Sequence, residues 1–313
     1  MLRLGTRGSQ LARMQSQMIA DALEDAVPGL KVELVIIKTT GDQVQDRPLH
    51  DIGGKGLFTK ELEQALLAGE IDFAVHSFKD VPVTLPLVDT SDLVIAAVPK
   101  REDPRDVLVA TTARTIQDLP PGARVGTGSL RRQSQLLALR PDLVVEMIRG
   151  NVDTRLRKRR EGQYDAVILA MAGVKRAGLY DEMEMAVLPV DQCVPAAAQG
   201  ALALECRRSD APTHDALAKL NDPATADCVQ LERQVVLGLN GDCHSPIAAL
   251  ATLNGTQVTL RTAVGGRDGK PPVIRAEATG ESALCVLADV LHQLKAQDVY
   301  TLLGTSEPVH PQD

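Results

Sequence analysis

Apolar residues fall into two alternating rhythms along the first half of the chain. Leu2 to Gly5, Val32 to Ile37, Ile71 to Val75 and Leu93 to Val98 are apolar runs of strand length. Between them, Leu11, Met14, Met18, Ala22 and Ala26 recur on one helical face, and Leu57 to Leu67 carries a helical period that Gly69 ends. Near Arg101 the scheme begins again, with strand Arg124 to Gly126, a helix from Ser129, strand Leu143 to Ile148, a helix from Asn151 and strand Ala166 to Leu169. Ser129 and Asn151 are side chains suited to capping a helix start. The alternation predicts a doubly wound α/β architecture, with mainly parallel sheets covered by helices on both faces.

Beyond Pro195 the segment Ala201 to Glu205 is one more strand. From about Asp222 the pattern changes. A helix-like stretch, Ala224 to Leu239, leads into the tight turn Asn240 to Pro246; then Ile247 to Leu253, Gln257 to Val264 and Val273 to Thr279 are strands separated by Asn254-Gly255 and Arg267-Asp268-Gly269. Such turns predict antiparallel hairpins. Leu284 to Leu294 closes a small α+β domain as a helix, and the polar tail Gly304 to Asp313 is expected to fray. Thr40 to Gly56 has no period and is rich in Gly, Asp and Gln, the pattern of a functional lid or mobile segment, with a plain disordered excursion as the alternative.

The chain has 313 residues, 44% of them apolar, which is enough for two or three domains with a sizeable core. With three Phe, three Tyr and no Trp, that core must be aliphatic. Strand-like residues begin at Leu2, with no basic and apolar leader before them, and no apolar run approaches the ~20 residues that span a bilayer. A cytoplasmic protein without a membrane partner is expected. The five cysteines, at 193, 206, 228, 243 and 285, form no C-x-x-C pair, so neither a zinc knuckle nor a thioredoxin-like motif is indicated. Four of them are expected to be small buried hydrophobes, with Cys243 set apart by its turn.

Although the formal net charge is −7, arginines are concentrated locally. Gly126-Thr127-Gly128-Ser129-Leu130-Arg131-Arg132-Gln133 and Arg149-Gly150-Asn151-Val152-Asp153-Thr154-Arg155 each follow a strand and open a helix. That places hydroxyls and guanidiniums at two helix N-termini, where backbone N–H groups already favour anions. Guanidinium forks match carboxylates, so two such turns side by side describe a pocket for a ligand with several acidic groups. The run Arg157-Lys158-Arg159-Arg160 has the pattern of a solvated charged face.

These two turns occur in one order with Thr6-Arg7-Gly8-Ser9-Gln10-Leu11-Ala12, Gly53-Gly54-Lys55-Gly56-Leu57-Phe58, Val75-His76-Ser77-Phe78-Lys79-Asp80-Val81-Pro82, Arg101-Glu102-Asp103-Pro104-Arg105-Asp106 and Gly241-Asp242-Cys243-His244-Ser245-Pro246. Together they closely resemble the porphobilinogen deaminase (hydroxymethylbilane synthase) family of tetrapyrrole biosynthesis, from the first strand to Cys243 and more loosely to the C-terminus. The resemblance implies two periplasmic-binding-protein-like domains joined by a hinge, domain 1 of residues 1–99 and 196–216 and domain 2 of residues 100–195, with a third domain of residues 217–313. It implies a monomeric transferase that joins four porphobilinogens head to tail with release of ammonia.

Each porphobilinogen brings an acetate and a propionate, so a growing chain needs many cationic donors. The resemblance assigns Arg7, Arg131, Arg132, Arg149, Arg155 and Arg176 to carboxylates, with Ser9, Gln15, Ser77, Lys79, Thr127, Ser129 and Gln199 as further binding groups. It also implies that Lys55 and Phe58 come near substrate, in a loop expected to cover the cleft. Asp80 occupies the place of the family's catalytic aspartate: loss of ammonia gives an azafulvenium cation, and a carboxylate near the pyrrole N–H stabilises the charge and moves protons. Cys243 stands where the family binds a dipyrromethane cofactor by a thioether, a bond that a thiolate can form by attack on the same electrophile.

The chain departs from the commoner family pattern at Asp242 and Ala198, where glycines are usual, and at Asp51, a position basic in some relatives. A carboxylate beside Cys243 would raise its thiol pKa. A cysteine protease is disfavoured because His244 is adjacent in sequence and no oriented base is visible. Nothing resembles a nucleotide or metal site. Nucleic acid is disfavoured as a partner by the net charge and the missing aromatic platform. The rival class is a two-lobed binding protein for a small acidic ligand, which would bind reversibly and carry no covalent adduct.

Overall fold

The computed structural model describes residues 1–39, 59–83, 91–242 and 245–307. Contacts divide the chain into two compact units. The first holds Met1–Glu102, Arg176–Gly178 and Gly200–Ala226; the second holds Asp103–Lys175, Leu179–Gln199 and Asp227–Asp313.

In the first unit, β1 (Leu2–Arg7), β2 (Val32–Ile37), β3 (Phe73–Ser77), β4 (Leu93–Ala97) and β10 (Leu202–Arg207) make a sheet of order β2-β1-β3-β10-β4. β1 pairs in parallel with β2 and β3, and β10 runs antiparallel between β3 and β4. The second unit repeats this plan. Its strands β5 (Asp106–Ala110), β6 (Arg124–Gly126), β7 (Val144–Glu146), β8 (Ala166–Ala170) and β9 (Met185–Val187) are ordered β7-β6-β8-β5-β9, with β5 the antiparallel member. In both sheets the antiparallel strand is the one that follows a passage of the chain from the other unit. The doubly wound α/β class therefore holds, with one reversed strand in each sheet.

Alternation along the strands feeds two apolar layers per sheet. Phe73 and Val75 face Leu4, Ile19, Leu23 and Leu204, while Ala74 faces Leu62, Leu66 and Leu93. In the second unit Leu108, Val125 and Ile168 lie on one side, and Val107, Val109, Val167 and Leu169 on the other. Wholly buried side chains such as Leu4, Phe73, Leu108 and Ile168 each contribute roughly 1.5 to 3 kcal/mol.

Helix α1 (Gln10–Ala26) buries Gln15, Ser16, Ile19, Ala20 and Leu23. This corrects the face expected from sequence, because Met14 and Met18 are exposed. The inward face is rotated by about one residue. Among its buried members, Gln15 accepts a hydrogen bond from the Ser77 hydroxyl at 3.4 Å. Helix α2 (Lys60–Leu67) ends at Gly69, whose φ of +70° is the left-handed conformation that stops a helix.

Helices α3 (Leu130–Leu139), α4 (Val152–Arg160) and α5 (Met171–Arg176) follow strands β6, β7 and β8, and α6 (Ala211–Ala218) follows β10. Helix α7 (Pro223–Gly238) then leads to an antiparallel sheet of β11 (Ile247–Asn254), β12 (Gln257–Val264) and β13 (Ile274–Gly280). Gly255, at φ +61°, makes the first hairpin, which places the turn at Gly255-Thr256 because Asn254 already pairs with Gln257. Helix α8 (Ala283–Ala296) buries Val286, Val290 and Leu294, and α9 (Val299–Leu303) ends the described chain's regular structure.

Just past β12, a Cβ on Gly265 would overlap the Cβ and Oγ of Ser134, a fully buried residue of α3. Gly265→Ala is expected to destabilise the protein by about 1 to 3 kcal/mol through this overpacking. The measurement is the urea midpoint at unchanged slope; an unshifted midpoint would show that the contact yields freely.

Candidate active site

Within each unit, several of the residues singled out from sequence lie at the carboxyl ends of parallel strands, where ligands of open α/β sheets bind. In the first unit, β1 delivers Arg7 and then Ser9, the N-cap of α1, whose hydroxyl accepts from the Ala12 N–H. β3 ends at Ser77 and runs into a 3-10 turn, Phe78–Asp80. Phe78 is buried beneath it, and Lys79 and Asp80 are half-buried at the tip. Behind this turn, His76 Nε2 lies 2.9 Å from Glu205 Oε2, both groups buried, which ties β3 to β10. Burial pushes the nearby Glu63 carboxyl above its usual range, with Glu205 adding to the shift and Thr59 opposing it. Arg176 donates to the Gly200 carbonyl at 2.8 Å, and burial draws its guanidinium down to about 10 against the pull of Glu102.

In the second unit the equivalent strand, β6, delivers Thr127 and Ser129. The Ser129 hydroxyl caps α3 by accepting from the Arg132 N–H, and the Thr127 hydroxyl accepts from the Ser129 N–H. Each hydroxyl keeps its own proton as a donor. The two arginine turns do lie side by side. Thr127 N–H donates to the Glu146 carbonyl at 2.9 Å, and a Cβ on Gly128 would sit 3.3 Å from the Ile148 carbonyl oxygen. Gly150, at φ +111°, has no room for a Cβ beside Thr154. Asn151 takes the cap position of α4 without a capping hydrogen bond from its side chain.

Arg131 and Arg132 are buried and converge on one carboxylate, that of Asp106 at the start of β5. Arg131 Nη1 is 2.9 Å from Asp106 Oδ2 and donates to the Val194 carbonyl at 2.7 Å. Arg132 Nη2 donates to Asp106 Oδ1 at 2.8 Å and its Nη1 to the Ile168 carbonyl at 3.1 Å, while its Nε is buried with no hydrogen-bond partner among the described residues. Burial would raise the Asp106 carboxyl, but the two guanidiniums outweigh it and hold the group well below the usual range. Gln199, expected as a binding residue, donates its amide to Asp106 Oδ1 and to the Pro104 carbonyl, each at 2.7 Å. Arg155 donates through Nε to the Gly150 carbonyl, and burial together with the like charges of Arg132 and Arg149 draws it down to about 10. Two guanidiniums, of Arg131 and Arg132, thus share the carboxylate of Asp106, and Arg155 stands close enough to feel the charge of Arg132.

Two expectations are corrected. Arg159 is not on a solvated face: three residues after buried Leu156, it points inward and bonds Thr111 at 2.7 Å and Glu184 at 3.3 Å, while Arg157 and Arg160 are exposed. Nor are the four other cysteines uniformly buried. Cys285 is exposed, Cys228 is half-buried, and Cys193, though buried, donates its thiol to Asp106 Oδ2 at 3.4 Å. Burial and that carboxylate push the Cys193 thiol up to about 12, so it stays protonated.

Lys55, Phe58, Asp51, Cys243 and His244 lie outside the described residues. The flanks of Cys243 are described. A Cβ on Gly241 would collide with Ile247, and Asp242 Oδ1 accepts from both the N–H and the hydroxyl of Ser245, at 2.9 and 3.0 Å. The other departure, Ala198, sits at φ +61°, which explains the preference for glycine there; the buried Glu232 carboxylate takes its N–H at 2.6 Å. Sequence reasoning missed Asp106 and Glu232. The guanidinium partners of Asp106 lie 25 and 26 residues away, and Glu232 takes the N–H groups of Ala198 and Ala251, 34 and 19 residues away, so the local sequence does not reveal these contacts.

Paired strand-end turns that set buried arginines at a helix start mark an α/β protein of the doubly wound class. Comparison with known proteins makes this particular. The profile "Porphobilinogen deaminase, dipyromethane cofactor binding domain" matches residues 2–215, and "Porphobilinogen deaminase, C-terminal domain" matches residues 226–295. Porphobilinogen deaminases from Roseiflexus sp. (strain RS-1) and Sorangium cellulosum (strain So ce56) are 48% and 50% identical to the chain. The first covers 93% of this chain and 95% of its own, the second 86% and 88%. A solved periplasmic substrate-binding protein of an ABC transporter from Coxiella burnetii overlaps 72% of the chain and 94% of its own, with a TM-score of 0.43 at 14% identity. The chain belongs to the porphobilinogen deaminase family, transferases that form C–C bonds and polymerise porphobilinogen into hydroxymethylbilane. Members use a dipyrromethane cofactor.

Proposed function

We propose that in this chain Cys243 holds the dipyrromethane through a thioether, that Asp80 is the catalytic carboxylate, and that the strand-end arginines receive the acidic groups of primer and growing chain. The observation that carries the reading is the deficit of negative charge around Arg132. A buried Nε without a partner among the described residues, beside an Arg155 drawn down to about 10, is costly unless a bound anion completes it. A dipyrromethane built from two substrate units brings four carboxylates, so the donor set suits it.

When bound, the dipyrromethane supplies the free pyrrole α-carbon to which the first substrate is joined. Asp80, at the tip of the turn after β3, faces the pyrrole N–H of the reacting unit, where its carboxylate offsets the positive charge that develops as ammonia leaves and as the new C–C bond forms. The same carboxylate accepts the proton released from the substituted ring carbon. Lys79, Ser77, Arg7 and Arg176 orient acidic side groups of the incoming unit by charge-assisted hydrogen bonds. On this reading the protein works as a cytoplasmic monomer.

The test is intact-protein mass measurement on material from cells able to make porphobilinogen. The expected result is an excess of two substrate units less two ammonia, on the peptide containing Cys243. An unmodified Cys243 in fully active protein overturns the assignment. The arginines are expected to divide their work: neutral replacements at Arg131 and Arg132 impair primer assembly, whereas those at Arg149, Arg155 and Arg176 slow elongation. Native mass spectra separate the two, and normal primer with normal intermediates in both groups would contradict the division.

A further inference from the structure

Asp106 lies in the motif Arg101 to Asp106, and no step of the chemistry above uses it. Its carboxylate is fully buried and meets four donors: Arg132 Nη2 and Gln199 Nε2 on Oδ1, and Arg131 Nη1 and Cys193 Sγ on Oδ2. Neighbouring residues of a helix diverge by about 100°. Arg131 and Arg132 nevertheless turn to one carboxylate, one on each oxygen. Further bonds fix the rest of Arg131: its Nη1 reaches the Val194 carbonyl, and Gln135 donates to that carbonyl at 3.0 Å and to the Arg131 carbonyl at 3.2 Å.

We propose that Asp106 is a positioning residue for primer capture: it sets the direction of both guanidiniums, and as one charge facing two it leaves the pair cationic. The proposal rests on the reading that Arg131 and Arg132 grip the primer. A carboxylate already holding four donors has no capacity to take part in proton transfer, so its effect passes through the arginines. A second acidic group here would neutralise the pair and remove the reason to bind an acidic ligand. Without Asp106, the two cations would repel each other in a buried place and splay apart. The strand that carries Asp106, β5, is also the reversed strand of its sheet, so primer capture is tied to the element that completes the second unit.

The experiment uses full-length protein from cells unable to make porphobilinogen, incubated with preformed hydroxymethylbilane and followed by intact mass as the primer is taken up. Asp106→Asn is expected to load about 10- to 100-fold more slowly than the unaltered protein, the scale on which groups that orient metal ligands act, with a native circular dichroism spectrum. In an Arg132→Gln background the same change should alter loading by no more than about twofold, because coupled residues are not additive. A purely structural ion pair would lower the melting temperature without this coupling. Wild-type loading by Asp106→Asn, or effects that simply multiply in the double variant, overturns the proposal. Should Asp106→Asn not fold, Asp106→Glu carries the test, since it keeps the charge and shifts its position: slowed loading supports the proposal and normal loading overturns it. Normal loading by Arg131→Gln and Arg132→Gln removes the arginine reading and the proposal with it, whereas slow arginine variants beside a normal Asp106→Asn remove only the role of Asp106.

Discussion

Asp80→Asn is expected to keep the fold and the primer while slowing every addition about a hundredfold to a thousandfold, roughly 3 to 4 kcal/mol of transition-state stabilisation. Asparagine matches aspartate in shape and still accepts a hydrogen bond, so the 3-10 turn of Phe78–Asp80 and the buried Phe78 should be undisturbed. What is lost is the negative charge against the developing pyrrole cation and the capacity to take a proton. Because one residue serves each round, all four steps should slow together. Single-turnover elongation on protein already loaded with primer isolates this from primer assembly. Rates like those of the unaltered protein would leave Asp80 as a turn residue before Val81-Pro82.

Cys243→Ser is expected to have a larger effect still. A serine hydroxyl is scarcely ionised at neutral pH, whereas a thiol is both more acidic and more nucleophilic. The variant should fold, since Gly241 and the Asp242 to Ser245 hydrogen bonds that frame the loop do not involve the thiol. It should show no mass excess and form no hydroxymethylbilane above background. A normal adduct on Cys243→Ser protein would place the attachment elsewhere; among the described cysteines, Cys285 is exposed and Cys193 is held protonated.

Elements whose apolar pattern is self-contained were legible in the chain. β2 is a β-branched run, α2 stops at a glycine that takes positive φ, and the C-terminal hairpins announce themselves by Gly255 and Gly269. β5 was not recognised as a strand, because Asp106–Ala110 is buried throughout and shows no alternation, and its first residue belongs to a charged motif. β9, of three residues, is too short to carry a pattern. The reversal of β5 and β10 depends on the direction in which the chain enters each sheet, which no window of sequence records. The same limit applied to the site. Ser129 and Asn151 were visible as cap residues at strand ends, but the partners of Arg131 and Arg132 depend on a contact across 25 and 26 residues, and that between His76 and Glu205 on one across 129. Arg159 was misread because charge composition outweighed its place one helical turn from Leu156.

The position of β10 has a consequence for the birth of the protein. In the first sheet it lies between β3 and β4, yet it is the last of the five strands to be synthesised. While the ribosome makes the whole of residues 103–199, the first sheet lacks the strand that joins β4 to β3, so the edge of β3 that β10 will cover has no native partner. Such edges invite pairing with foreign strands. Pairing of β1 with β2 and β3 needs no later residue, but the first sheet is completed only when Leu202–Arg207 emerges to join Phe73–Ser77 to Leu93–Ala97.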